Sequence, residues 1–326
     1  YFKIDSVQSE GKLFNKDLNI PFQPVFRIGA TYQPAEYTFL RASYGQGYRF
    51  PSIAEKYIST FVGGLNIFPN NNIQPEYGWS AELGLKQGFK INNFKGYVDL
   101  SGFVTRYQDM IEFMFGFYNT DGSDLTLLEL YQLIGGDLNQ LTNYLGARST
   151  NIQNANIPGM ELSIVGQGNF TEDLSFTTLA GYTFIHPTPT DADSAYLTTF
   201  SDPDIDNPEN TILKYRNRHM LKIDFQLDYK KWAIGLSTRY TSLMENVDNV
   251  FMQPIVQNTE ILPGYGDYRN ARMTGDLVFD CRLAYTFNDK YKLSILANNL
   301  LNREYSNRPG NVMPPRTLLW QFSANF

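Results

Sequence analysis

The chain has one cysteine, two histidines and three tryptophans in 326 residues, and each scarcity removes a class of explanation. A lone Cys281 forms no internal disulfide, so this fold is not stapled. With Phe279 and Leu283 at alternate positions beside it, Cys281 reads as a small apolar side chain on a strand face. Two histidines leave few candidates for acid–base catalysis. No nucleophile elbow, glycine-rich phosphate loop or cysteine-based metal spacing appears, so the sequence marks no enzyme. Positive charge is also in deficit: 27 Lys and Arg against 33 Asp and Glu give a net charge of −6. That argues against nucleic acid as a partner, because phosphate binding needs clustered Lys and Arg. No run approaches the roughly 20 apolar residues of a membrane-spanning helix. The absence does not touch a β-barrel, whose spanning strands alternate and turn half their side chains to water. The sequence opens on Tyr1, without Met or signal peptide, and reads as a mature segment or a fragment.

What is abundant is aromatic: 22 Tyr and 24 Phe, residues that favour strands. Alternating stretches recur at 25–33, 37–48, 78–90, 95–117, 150–168, 174–187, 217–229, 232–246, 275–287, 291–300 and 316–326, which predicts about eleven strands. Many have the roughly 9–11 residues that a tilted strand needs to cross a bilayer. Short turns ("QPAE", "INN", "NFTED", "KK", "NDK") alternate with long segments at 49–77, 118–149, 188–216, 247–274 and 301–315. Sorting of this kind fits an outer-membrane barrel with short periplasmic turns and long extracellular loops. Aromatics gather at the short turns: Tyr32, Tyr37, Phe89, Phe94, Phe170, Phe176, Tyr229, Trp232, Phe287, Tyr291 and the terminal Phe326. They predict a belt at one membrane interface.

Facing follows from parity. Leu221, Ile223, Phe225, Leu227 and Tyr229 suit lipid, while Lys222, Asp224, Gln226 and Asp228 suit a wet lumen. By the same alternation Glu82, Lys86, Asp280 and Arg282 face the lumen, as does Asp276. One region, "SDLTLLELYQLIGGDLNQLTNYLG" from Ser123, has helical spacing, with Ser123 or Asp124 as the expected N-cap.

Three stretches resemble the C-terminal half of TonB-dependent outer-membrane transporters. "GYRFPSIAEKY" at 47–57 with "NNNIQPE" at 70–76 is similar to the family's signature pair through Arg49, Pro51, Asn70, Asn72, Pro75 and Glu76. Tyr48, Phe50, Asn71, Ile73 and Gln74 depart from it. "RYQDMIEF" at 106–113 looks like the family's strand running into an extracellular loop. "LANNLLNREYSNRPGNVMPPRT" at 296–317 resembles its closing hairpin, followed by a strand whose last aromatic, Phe326, would be the barrel-assembly signal. The resemblance implies that 1–326 forms about half of a barrel of about 22 strands, with the plug domain and N-terminal strands outside this chain. It implies import of a scarce nutrient, whether a ferric siderophore, vitamin, glycan or peptide, across the outer membrane of a Gram-negative bacterium. The implied partners are outer-membrane lipid, the N-terminal half and plug, TonB through the plug, and a surface lipoprotein. Haem transporters of the family carry a His between the two signature motifs, whereas 52–69 contain none, which weighs against haem.

His186 and His219 flank the acidic segment 188–216, where Asp191 and Asp193 belong to a set of oxygen donors suited to a hard cation such as Ca²⁺. Solvated surface charge explains the same residues. Two other readings stay open: a self-contained small barrel acting as porin or outer-membrane enzyme, and a secreted all-β binding module.

Overall fold

The computed structural model describes residues 23–62, 65–152, 154–190, 212–252, 260–288 and 290–324. In chain order the elements begin with β1 (Arg27–Ala35), β2 (Thr38–Arg49), α1 (Ile53–Tyr57), β3 (Thr60–Val62), β4 (Leu65–Phe68), β5 (Glu76–Ile91) and β6 (Phe94–Gln108). Next come β7 (Ile111–Phe117), α2 (Leu127–Ile134), β8 (Leu145–Asn151), β9 (Ala155–Asn169), β10 (Leu174–Ile185) and the two-residue β11 (Thr188–Pro189). The last are β12 (His219–Tyr229), β13 (Trp232–Thr241), α3 (Tyr265–Asn270), β14 (Asp276–Asn288), β15 (Tyr291–Asn298) and β16 (Thr317–Ala324).

Alternation builds one large antiparallel sheet in the order β1-β2-β5-β6-β9-β10-β12-β13-β14-β15-β16, with β11 added beside β9. Each strand pairs with its predecessor and successor in this meander, which the strict exchange of tight turns and long connections requires. Tight turns sit at one end, and left-handed residues make two of them: Asn92 at φ 53° and Lys230 at φ 51°. The sheet is open, with β1 and β16 at its edges among the described residues. Strands β5, β6 and β9, of 16, 15 and 15 residues, outrun the roughly 9–11 that cross hydrocarbon and project toward the long-loop end.

Two long strands read from periodicity are each two elements. The stretch 95–117 breaks at Asp109, whose φ is 53°, and 150–168 breaks between β8 and β9. The segments beyond the breaks leave the main sheet and join β3 and β4 in a second sheet, ordered β3-β4-β8-β7, in which β4 and β8 run parallel. The helix also starts later than expected. Its N-cap is Thr126, paired with Glu129 in a capping box, and Gly135 ends it in the left-handed conformation; Asp124 instead takes an ion pair from Arg148 at 3.0 Å.

The apolar core lies in the loops. Val247 and Ile73 are 0% and 1% exposed, whereas Leu83 and Trp320 on the main sheet are 71% and 70% exposed. A sheet with lipid on one face and water on the other has no protein interior of its own, so burial concentrates where the loops meet. One cluster comprises Met110, Ile152, Ala155 and Leu213. A second joins Phe115, Ala147, Val250 and Phe251.

Candidate functional site

Strand register sorts the charges. A single row across the sheet runs Lys86, Asp99, Ser163, Gly181, Lys222, Arg239 and Val278. Residues two apart share a face, so Glu82, Lys86, Lys222, Asp224, Asp280 and Arg282 all lie on one polar face, and Leu83, Ile223 and Cys281 lie on the apolar one. The polar face is cross-linked. Arg41 reaches Glu82 at 3.1 Å and Asp99 at 2.7 Å. Arg282 grips Asp224 with two nitrogens at 2.7 and 2.8 Å, Ser237 donates to the same carboxylate, and Arg239 meets Asp280 at 3.1 Å. Glycines make room for these guanidinium groups: a Cβ on Gly84 would stand 2.8 Å from Arg41 Nε, and one on Gly235 would stand 2.5 Å from Arg282 Nε. Arg41, Asp99, Ser237 and Arg239 complete this network beyond the members that alternation singles out; the glycines opposite Arg41 and Arg282 were the available signal.

The signature residues form a knot at the long-loop end. Arg49 donates to Glu76 at 2.8 Å and to both oxygens of Glu55 at 2.9 and 3.0 Å. Glu55 also caps α1, accepting from the Ser52 backbone at 2.6 Å. The second oxygen of Glu76 accepts the Ile111 N–H at 2.9 Å, which ties the start of β7 to β5. Asn70 donates to the Ser149 carbonyl at 2.8 Å, and its own side-chain oxygen accepts from the Asn72 N–H at 3.1 Å. Asn151 donates to the carbonyls of Gln74 and Asp109 at 2.9 and 2.7 Å, fixing both strand breaks at once. Pro51 and Pro75 flank the knot on the approaches to α1 and β5. Arg49, Pro51, Asn70, Asn72, Pro75 and Glu76 are therefore neighbours of one hydrogen-bonded junction.

Above that junction the loops form a roof on the polar side. Tyr107 and Ile157, both polar-face positions, pack under Met110, Ile152 and Leu213. Glu112 of β7 accepts from Arg216. Lys214 Nζ lies 2.5 Å from Asp248, which also accepts from the Tyr215 hydroxyl; Lys214 and Asp248 are both buried. The final loop is held by Arg303 against Asp276 at 3.3 Å and by Tyr268, whose hydroxyl donates to Asp276 at 2.6 Å and accepts the Ser306 N–H at 2.9 Å. Burial pushes the Glu112 carboxyl above the usual range despite Arg216, and does the same to Asp248 despite Lys214. Beside the junction the polar face of β2, β5 and β6 carries a groove of about 440 Å³, floored by Gly45, Gly47 and Gly78 and walled by Arg49, Glu76 and Tyr107.

His219 lies on the apolar face, its Nδ1 2.8 Å from the Tyr182 hydroxyl and its ring against Phe184. His186 is exposed, and its N–H is bonded to the Pro158 carbonyl. Asp191 and Asp193, and likewise Phe326, lie outside the described residues. Among the described residues no group of three His, Cys, Asp or Glu side chains assembles that would hold a metal.

An antiparallel meander with one apolar and one polar face, tight turns at one end and long interlocked loops at the other, is the wall of a transmembrane β-barrel. The chain belongs to the family described as "TonB dependent receptor-like, beta-barrel", whose model matches residues 5–300. These are transporters of the Gram-negative outer membrane and not enzymes. In sequence the chain is similar to haemoglobin-haptoglobin-binding protein A of Haemophilus influenzae, with 28% identity over 152 residues, 46% of this chain and 13% of that protein. It is also similar to a haemoglobin and haemoglobin-haptoglobin-binding protein A of the same species, with 30% identity over 150 residues, 45% of this chain and 12% of that protein. In structure it is similar to the ferric-catecholate import receptor Fiu of E. coli K12, with TM-score 0.56 and 17% identity, covering 92% of this chain and 34% of the receptor. The haemophore receptor HasR of Serratia marcescens gives TM-score 0.56 and 14% identity, covering 93% of this chain and 39% of HasR. The chain thus spans well under half the length of the proteins it matches. Family membership removes the secreted-module reading.

Proposed function

We propose that this chain is the ligand-receiving part of a TonB-dependent importer that carries a scarce nutrient across the outer membrane, with a plug and further strands supplied by the rest of the transporter. The polar face lines the lumen, and the interlocked loops form the extracellular vestibule. One observation carries the reading: the loops are cross-braced at the long-loop end of the polar face, and a groove opens there beside the signature knot, on β2, β5 and β6. A passive porin needs a wet passage, whereas this end is built as a receiving surface. The ligand class we favour is iron-bearing, because the sequence relatives are named for binding haemoglobin. Between the signature motifs no histidine is available to haem, since 52–69 have none, and His219 lies on the apolar face, which leaves the exposed His186 as the one histidine of this chain on offer to it.

The test is growth of the source bacterium on single iron sources, ferric siderophore or haemoglobin, with and without the gene and with and without TonB. Gene- and TonB-dependent growth on either supports the reading. Unimpaired growth on both in the gene deletion returns the substrate to vitamins, glycans or peptides; ligand uptake that persists without TonB sinks the importer reading altogether.

A further inference from the structure

The tight-turn end of the polar face carries charge of the opposite sign to the whole chain. The protein has a net charge of −6, yet the polar-face positions of β5, β6 and β15 toward the tight turns are Lys86, Lys90, Lys95 and Lys292; the acids nearby are Asp99, opposite Lys86 and held by Arg41, Asp228 of β12, and Glu172 and Asp173 in the turn between β9 and β10. Lys90 and Lys95 stand directly opposite each other in the β5–β6 ladder. Like charges so placed repel, and the arrangement is favourable only when a counter-charge is near. Arg41 and Arg282, higher on the same face, have carboxylates in contact, whereas Lys86, Lys90, Lys95 and Lys292 pair with none among the described residues. Lys86 instead lies 3.7 Å over the Tyr97 ring. The nearby acid Asp173, in the next turn, faces Lys230 at 3.6 Å.

Beside the lysine pair is a groove of about 480 Å³ lined by Asn92, Asn93, Gln167, Asn169, Ser175 and Thr177. Amide and hydroxyl groups of this kind bond to a polypeptide backbone, and the two ammonium groups select carboxylates. The groove opens on the polar face. The lipid-facing aromatics of the same turns, Phe94, Phe170 and Phe176, cluster with one another at 5.3 to 5.6 Å, so lipid headgroups meet that side and not the lysine pair. We propose that the inner periplasmic rim formed by Lys90, Lys95 and the facing ends of β9 and β10 is a docking site for an acidic, extended polypeptide segment at the periplasmic mouth of the barrel. The site lies at the opposite end from the vestibule, and its test does not use transport.

The transporter that contains this chain, purified in detergent, is titrated with a fluorescein-labelled twelve-residue peptide of alternating Glu and Ser, read by anisotropy. Saturable binding is expected. It should weaken about tenfold between 50 and 500 mM salt, because exposed charges are screened over that range. The variant K90E/K95E should bind about tenfold or more weakly and K90Q/K95Q should be intermediate, each with its heat-modifiable mobility intact as proof of folding. Equal binding by the native protein and K90E/K95E overturns the proposal, as does equal binding of a Lys/Ser peptide. Loss of peptide binding to phosphatidylglycerol vesicles at equal charge overturns it too, by showing a lipid-headgroup site.

Discussion

Glu76 serves two elements at once, since one oxygen holds Arg49 and the other holds the Ile111 N–H. Glu76→Ala leaves that N–H without its acceptor, at a cost of about 1–3 kcal/mol to the β7 junction; the lost contact to Arg49, 44% exposed on its side chain, adds little after screening. Glu76→Gln keeps an acceptor and should lose about half as much, which amide exchange at Ile111 would read. Two other carboxylates of the loop region respond to pH with opposite sign. Burial works to raise Glu55, but the Ser52 N–H and Arg49 outweigh it and hold its pKa below 4.5. For Glu112 burial prevails over Arg216, and the pKa lies above 4.5. A lowered folded-state value gives stability that is full above about 4.5 and lost as pH falls from there through the folded value; a raised one gives stability that is full below about 4.5 and lost as pH rises through the folded value. Protection factors corrected for intrinsic exchange should therefore rise in β7 as pH falls from neutrality toward about 4.5 and hold steady in α1 until about pH 4.5. Parallel loss in both elements would show that the loops open as a unit.

At the scale of elements, alternation made the main sheet legible and hid where it ends. In "RYQDMIEFMF" the alternation slips at Gln108–Asp109 and Met110–Ile111, two pairs of like residues too short to separate β6 from β7 by hydropathy alone. The break depends on a left-handed residue and on Asn151 bridging from another loop. The parallel pairing of β4 with β8 joins residues about 80 apart and leaves no local trace. In α2 a signal was present, since Thr126 and Glu129 stand at capping-box spacing, but Ser123 and Asp124 are equally good caps in isolation. The signature knot was visible as six residue types, not as a junction, because Glu55 in the same stretch is outside the six and the partners Ile111 and Asn151 lie in other segments. Parity was fully legible, and it sets a test on one strand. Ile223→Arg should cost roughly 2–4 kcal/mol by placing a charge toward the membrane midplane. Lys222→Glu, on the polar face and without an ion-pair partner among the described residues, should assemble normally. Equal amounts of heat-modifiable barrel in the two variants would invert or abolish the facing.

For the whole molecule the decisive feature is the pair of open edges. Among the described residues β1 pairs only with β2, and β16 only with β15. Each residue of an unpaired edge offers N–H and C=O groups that hydrocarbon does not satisfy, at several kcal/mol for each group. Exposed side chains sharpen the point: Trp320, Phe322 and Ile28, near those edges, are 70%, 63% and 72% exposed, which suits lipid and not water. Two outcomes remain for such a sheet, to close on itself or to pair with further strands. Closure of so few strands would change the curvature that strand number and tilt impose together, and the loop region that braces β2, β5, β6 and β9 would have to deform with it. We therefore expect residues 1–326 expressed alone in an outer membrane to give no heat-resistant barrel. Co-expression with the remaining strands and plug of the transporter should restore one, through pairing at β1 and β16. A stable barrel formed by the chain alone, with β1 cross-linked to β16 through paired cysteines, would show that the sheet closes on itself.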